Sequence, residues 1–170
     1  RRRMANETVY LAGGCYWGFE DLLSKIPGVI ETAVGFSGGH VKNVSYLEVS
    51  SGTTGHAETV KVIFNSDILS FTDLLTFFFK MHNPTTLNQQ GNDIGTQYRS
   101  AIFATTDEQI LLAEELIKKI DSLGVLTKKI TTEVNTFNTF FLAEDNHQKY
   151  LEKYPDGYTC HFIRDINLSV

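Results

Sequence analysis

The segment Gly13-Gly14-Cys15-Tyr16-Trp17-Gly18 sets a cysteine between glycines and beside two aromatic residues. Val9 to Ala12 before it read as a short buried strand, and Phe19, Leu22, Leu23 and Ile26 after it recur at helical spacing. Cys15 therefore falls at a strand-to-helix junction, at the helix N-terminus. A free thiol ionises near pH 8.5, so roughly 3% is thiolate at pH 7. Unpaired N–H groups and the positive end of the helix dipole favour the anion, and the glycines let another molecule approach closely. This context predicts a nucleophile; a buried structural thiol fits the same position. Tyr16 and Trp17 can wall a pocket for a small apolar group such as a methyl, but taken alone they read as core residues opening an amphipathic helix.

Glu58 is the second candidate. In a strand from Glu58 to Phe64 it shares a face with Val60, Val62 and Phe64. Burial raises a carboxyl pKa, which keeps a proton-donating acid protonated at neutral pH. A glutamate that reaches water from the strand end is the equal alternative. His56, two residues earlier, reads as a hydrogen-bonded structural group. The polar stretch ending in Asp93-Ile94-Gly95-Thr96-Gln97-Tyr98-Arg99 offers a carboxylate, a phenol and a guanidinium within seven residues. Surface solvation with one Asp–Arg pair is the plainer reading. Cys160 lies in a C-terminal stretch of turn residues; a flexible tail can carry a thiol to a distant site, since closure entropy grows only logarithmically with length. Cys160-His161 is too short a ligand set for zinc.

The elements that must position these residues follow from periodicity and punctuation. A helix from Phe19 stops at Pro27-Gly28, and Val29 to Phe36 is a strand closed by Ser37-Gly38-Gly39. Residues 40–56, with Tyr46-Leu47, form a loop with room for one helical turn. Ser70 and Asp73 form a capping-box-like start for a helix to Met81, ended by Asn83-Pro84. Residues 83–97 read as one long loop, of the kind that is functional or mobile. A strand from Tyr98 to Ala104, a helix from the Thr106/Gln109 box through Ile120, a weak strand from Ile130 to Val134 and a helix from Ala143 to Tyr154 complete the chain. Irregular interleaving of strands and helices predicts an α+β fold, a two-layer α/β sandwich with a mixed, ferredoxin-like sheet. Residues 1–7 read as an N-terminal extension, and residues 8–170 as one catalytic domain whose tail carries Cys160.

Of the 170 residues, 42% are hydrophobic and 21% charged, which fits an ordinary globular domain. The net charge of −5 argues against a nucleic-acid-binding surface. No apolar run reaches the ~20 residues of a membrane helix. Arg1-Arg2-Arg3 is followed by no apolar stretch of a signal peptide, so a cytoplasmic location is expected. Two cysteines are too few for a disulfide scaffold, and metal-ligand spacings are missing.

Five ordered blocks carry a family resemblance: Gly13 to Glu20, Gly35 to Gly39, Ser51 to Glu58, Gln90 to Ser100 and Ala143 to Gln148. The chain resembles peptide methionine sulfoxide reductase A from about Thr8 to His161. The resemblance implies Cys15 as nucleophile, Glu58 as acid, Tyr46 and Tyr98 as hydroxyl donors, Asp93 as a supporting carboxylate, and Tyr16 and Trp17 as the ring pair that holds the substrate methyl. The family usually has Phe where Tyr16 stands, and an added hydroxyl in an apolar pocket needs a partner. It also has Asp where Asn83 stands. Cys160 looks like a resolving cysteine. The implied substrate is the S-epimer of methionine sulfoxide, free or in proteins, and the implied partner is thioredoxin or another dithiol, with no cofactor or metal and a monomeric state. The chemistry fits: a sulfoxide needs a nucleophile at sulfur and proton-donating groups at oxygen. Two other readings are an amidase or acyltransferase, with His56 as the base for Cys15, and a non-catalytic binding module.

Overall fold

Alternation and turn chemistry place eight strands and five helices in a computed structural model that describes residues 6–168. The strands are β1 (Asn6–Gly13), β2 (Val29–Ser37), β3 (Ala57–Asn65), β4 (Gln89–Gln90), β5 (Asp93–Ile94), β6 (Ser100–Ala104), β7 (Glu133–Thr136) and β8 (Phe141–Leu142). The helices are α1 (Tyr16–Ser24), α2 (Tyr46–Ser50), α3 (Phe71–Met81), α4 (Asp107–Leu123) and α5 (Tyr150–Lys153). One sheet has the order β7-β6-β1-β3-β2-β8. Its neighbours are antiparallel except β6 and β7, which run parallel. The central order β6-β1-β3-β2, with α1 and α3 as crossovers, is the ferredoxin-like arrangement the sequence predicts. β1 begins at Asn6, paired with Asn65, so Asn6 and Glu7 belong to the sheet rather than to an extension. Arg1-Arg2-Arg3 and Met4 lie outside the described residues.

Helices α1, α3 and α4 pack on one face of the sheet. Val9, Leu11, Val34, Val60, Val62 and Phe64 meet Phe19, Leu23, Leu74, Leu75 and Phe78 there, all with no exposed surface. On the other face Phe137 stacks on Tyr10 with ring centroids 4.0 Å apart. Local signals explain the helix starts. Ser70 accepts the Asp73 N–H at 3.0 Å, and Thr106 accepts the Gln109 N–H at 3.1 Å. The Gln109 side chain, however, accepts the Thr105 N–H rather than that of Thr106. Ser45 and Glu48 close a complete capping box on α2, the short helical turn for which residues 40–56 have room.

Four expectations need correction. The stretch 83–97 is not one loop: β4 and β5 pair as a small hairpin around Gly91, whose φ of 56° suits glycine. Tyr98 ends a 3-10 turn, Thr96–Tyr98, instead of opening β6. The weak strand forms three residues late, because Ile130 and Thr131 give their N–H groups to Asp121 Oδ1 and Pro84 O. The helix expected from Ala143 to Tyr154 is broken. It has a 3-10 turn at Asp145–His147, a left-handed Lys149 with φ 54°, and then α5. Here distant partners win over helix propensity. Gln148 brackets Val34, accepting its N–H at 2.8 Å and donating to its O at 2.9 Å, and the Lys149 N–H goes to Glu20 Oε1 at 2.8 Å.

Candidate active site

The antiparallel sheet gathers the sequence candidates at one end. Cys15 follows the C-terminal end of β1 and occupies the N-cap position of α1. Phe36 near the end of β2 pairs with Glu58 near the start of β3. Continuing the β1/β3 register brings Glu58 opposite Gly13, two residues from Cys15. Glu58 is 1% exposed, and its Oε1 accepts the Tyr16 backbone N–H at 3.1 Å. That bond uses an orphan N–H of the first turn of α1. Its other oxygen, Oε2, is buried without a hydrogen-bond partner. Burial pushes the Glu58 carboxyl up to about 8, with the Tyr16 N–H opposing and Asp93 adding. At pH 7 it holds its proton and is a donor, as expected for an acid.

Cys15 is 7% exposed and unpaired. Its ionisation runs against the sequence expectation. Burial pushes the thiol well up, the Glu58 charge adds to this, and the Trp17 N–H at the helix start only partly offsets them. The helix-terminus effect is present, but desolvation exceeds it. The resting sulfur is therefore a thiol.

Three further candidates surround this pair. Burial, then the charge of Glu58, raises Tyr46 to about 12 and raises Tyr98 as well; Cys15 and Asp93 contribute to both. Both phenols thus keep their protons. Tyr46 opens α2, where its N–H meets the Glu144 carboxylate at 3.3 Å. Asp93 does not pair with Arg99. Arg99 instead meets Glu133 at 3.2 Å, while Asp93 Oδ2 accepts the Tyr158 hydroxyl at 3.1 Å and lies 3.8 Å from Cys160 Sγ.

The two aromatics after Cys15 differ. Trp17 is part-exposed, stacks on Tyr150 at 3.9 Å, and donates its Nε1–H to His147 Nδ1 at 3.0 Å. Tyr16 has no exposed surface; its ring packs between Phe36 and His147, and its hydroxyl is buried without a partner. Tyr16 therefore forms the floor beneath the site, and Trp17 its open wall. His147 and Tyr150 received no role from the sequence, although His147 lies in the block Ala143 to Gln148. His56 is 1% exposed, with Nδ1 accepting the Gly39 N–H and Nε2 2.6 Å from Val41 O. Both nitrogens are engaged with backbone, so His56 is not a base for Cys15.

The C-terminal stretch lies over the start of α1. His161 Nε2 sits 2.6 Å from Gly13 O. A Cβ built on Gly18 would meet Thr159 Oγ1 at 2.0 Å, and one on Gly91 would meet Cys160 Sγ at 3.8 Å. Cys160 is half-buried, and its charge makes the smallest contribution to the raising of Cys15. Among the described residues no three His, Cys, Asp or Glu side chains come together as metal ligands, and no helix is long and apolar enough to cross a membrane.

This arrangement, a thiol beside a protonated carboxyl and two phenols, can attack an electrophilic centre while donating hydrogen bonds to its oxygen. The family model for peptide methionine sulfoxide reductase matches residues 7–169. Peptide methionine sulfoxide reductase MsrA 1 of Mesorhizobium japonicum is 50% identical over 160 residues, 94% of this chain and 91% of that protein. The reduced form of Mxr1 from Saccharomyces cerevisiae superimposes with a TM-score of 0.87 at 35% identity, over 96% of this chain and 95% of that one. A structure of Mxr1 in complex with Trx2 shares the fold, with a TM-score of 0.62 at 23% identity over 96% and 94% of the two chains.

Proposed function

The chain belongs to the peptide methionine sulfoxide reductase family, an oxidoreductase family, and on that premise we propose the route by which it reduces methionine sulfoxide. Cys15 attacks the sulfoxide sulfur while Glu58, Tyr46 and Tyr98 donate hydrogen bonds to the oxygen and Asp93 supports them. The oxygen passes to the Cys15 sulfur as the substrate's sulfur–oxygen bond and the sulfur–sulfur bond made by the attack break, so methionine leaves and Cys15 becomes a sulfenic acid. Two electrons pass from the Cys15 sulfur to the substrate sulfur. Glu58 gives its proton to the departing oxygen and regains one from the Cys15 thiol, so the acid ends as it began. Trp17 lines the pocket for the substrate methyl over the ring of Tyr16, which favours one epimer, the S-sulfoxide.

Cys160 then condenses with the sulfenic acid, releasing water and forming a Cys15–Cys160 disulfide, which a thioredoxin dithiol reopens. The Mxr1 complex with Trx2 supports that partner. The substrate is methionine sulfoxide in proteins or free, and the role is repair of oxidised protein. The chain from Asn6 onward acts as one catalytic domain, a monomer in the cytoplasm, needing no cofactor beyond the dithiol.

The observation that carries this reading is the buried Glu58 carboxyl, with one oxygen held by the turn that bears Cys15 and the other unpartnered. Thiols counted after one equivalent of methionine sulfoxide, without reductant, should fall by two, with one methionine released. Cys15→Ser should release none; substantial turnover by that variant would refute the nucleophile.

A further inference from the structure

Resting on the resolving role of Cys160, we infer that His161 is the general base that takes the Cys160 thiol proton as the disulfide closes. His161 is buried at the start of α1, with Nε2 2.6 Å from Gly13 O. A backbone carbonyl only accepts, so Nε2 carries the ring proton and Nδ1 holds the lone pair. That lone pair lies 3.9 Å from Cys160 Sγ. The strand leading into Cys15 thus sets the tautomer of the residue beside Cys160. The Thr159 hydroxyl accepts the His161 N–H at 3.1 Å, which holds the turn carrying both residues.

The sulfur needs such help. Burial raises the Cys160 thiol, which leaves little thiolate at neutral pH. Burial also lowers His161, with Asp93 opposing, and keeps its lone pair free. Asp93 Oδ2, which takes the Tyr158 hydroxyl, also lies 3.8 Å from Sγ and orients the thiol beside the imidazole. His82, a second imidazole that the charge of His161 pushes down, donates Nδ1–H to Phe78 O and accepts from Ser100 at Nε2, so it is not an alternative base.

The step balances within the chain. The Cys160 S–H bond breaks and its proton goes to His161 Nδ1. The Cys160 sulfur bonds to the Cys15 sulfur, the S–O bond of the sulfenic acid breaks, and the hydroxide leaves as water with the proton returned by His161. The Cys15 sulfur is reduced, the Cys160 sulfur is oxidised, and the imidazole ends neutral.

Two variants test it. His161→Gln keeps an N–H for Gly13 O but has no basic nitrogen, and His161→Ala leaves room for added imidazole. Each receives one equivalent of methionine sulfoxide without reductant, and methionine release and loss of the Cys160 thiol are timed. Methionine release should be unchanged in His161→Gln, while thiol loss slows by roughly 10²-fold or more. The sulfenic acid should accumulate and be trapped by a cyclic 1,3-dicarbonyl, and imidazole should accelerate closure in His161→Ala. Closure at the wild-type rate in His161→Gln overturns the inference. So does slow closure in both variants with no response to imidazole, which would make His161 a latch only. Loss of only one thiol in the unsubstituted enzyme would refute the resolving role of Cys160 itself, before any change at His161.

Discussion

Glu58 Oε1 accepts the backbone N–H of Tyr16 at 3.1 Å across 42 residues of chain. This bond ties the acid to the helix turn that presents Cys15 and leaves Oε2 as the free proton donor. Glu58→Gln keeps the acceptor and a donor but no transferable proton. Single-turnover methionine release should slow by roughly 10²- to 10⁴-fold, and an unchanged rate would remove Glu58 as the acid.

The raised carboxyl also fixes the direction of the pH response. Glu58 titrates near 4.5 in the unfolded chain and at about 8 in the fold. The folded state therefore binds more protons between these values, and stability falls as pH rises through the window. The first half-reaction should also fade above about pH 8. In urea melts the stability of Glu58→Gln relative to the parent should grow from pH 5 to pH 8.5; a difference that stays flat would contradict the buried, protonated acid.

Tyr16 buries a hydroxyl with no partner. Leaving such a group unsatisfied costs about 1–3 kcal/mol. Tyr16→Phe should raise unfolding free energy by about 1 kcal/mol or more and retain full activity, since the ring packing on Phe36 is kept. Loss of stability would mean that the hydroxyl has a role the packing does not reveal.

Glu20 is buried and accepts from Thr32 Oγ1 at 2.9 Å, from the Lys149 N–H at 2.8 Å and from Lys149 Nζ at 3.3 Å. This clamp holds the turn that sets His147 and Tyr150 against Trp17. Lys149→Met should cost about 1–3 kcal/mol, because it strips a charge partner from a buried carboxylate. Trp17 is the only tryptophan, so its emission reports the stack directly. We expect a red shift and a raised KM; unchanged emission with unchanged KM would show that the clamp does not position the wall.

Any side chain at Gly18 runs into Thr159. Gly18→Ala should lift the tail from α1 and slow Cys160 thiol loss while methionine is still released. Closure at the parent rate would mean that the tail does not need this seat.

Much of the architecture was legible because its signals are local. The alternation in Glu58 to Phe64, the paired glycines after Ala12 and the Ser70 and Thr106 caps each read correctly within a few residues. The resemblance implied the candidate site residues, and the fold couples Cys15, Glu58, Tyr46, Tyr98 and Asp93 electrostatically. The broken helix near the C-terminus has a cause outside its own segment. The segment Ala143 to Tyr154 has helical composition, yet Glu20 takes the Lys149 N–H that a helix would have used and Val34 anchors the Gln148 side chain, each over a hundred residues away. His161, Tyr158 and His147 carried no periodic signal, because their partners Gly13, Asp93 and Trp17 are distant in sequence.

The ionisation of Cys15 divides the two levels most sharply. The chain by itself determined that a cysteine opens a helix behind two glycines, because strand and helix periods and glycine punctuation are written within about ten residues. Only the tertiary structure decided that this thiol keeps its proton. Desolvation depends on which distant segments pack around the sulfur, and it exceeds the pull of the helix N–H groups.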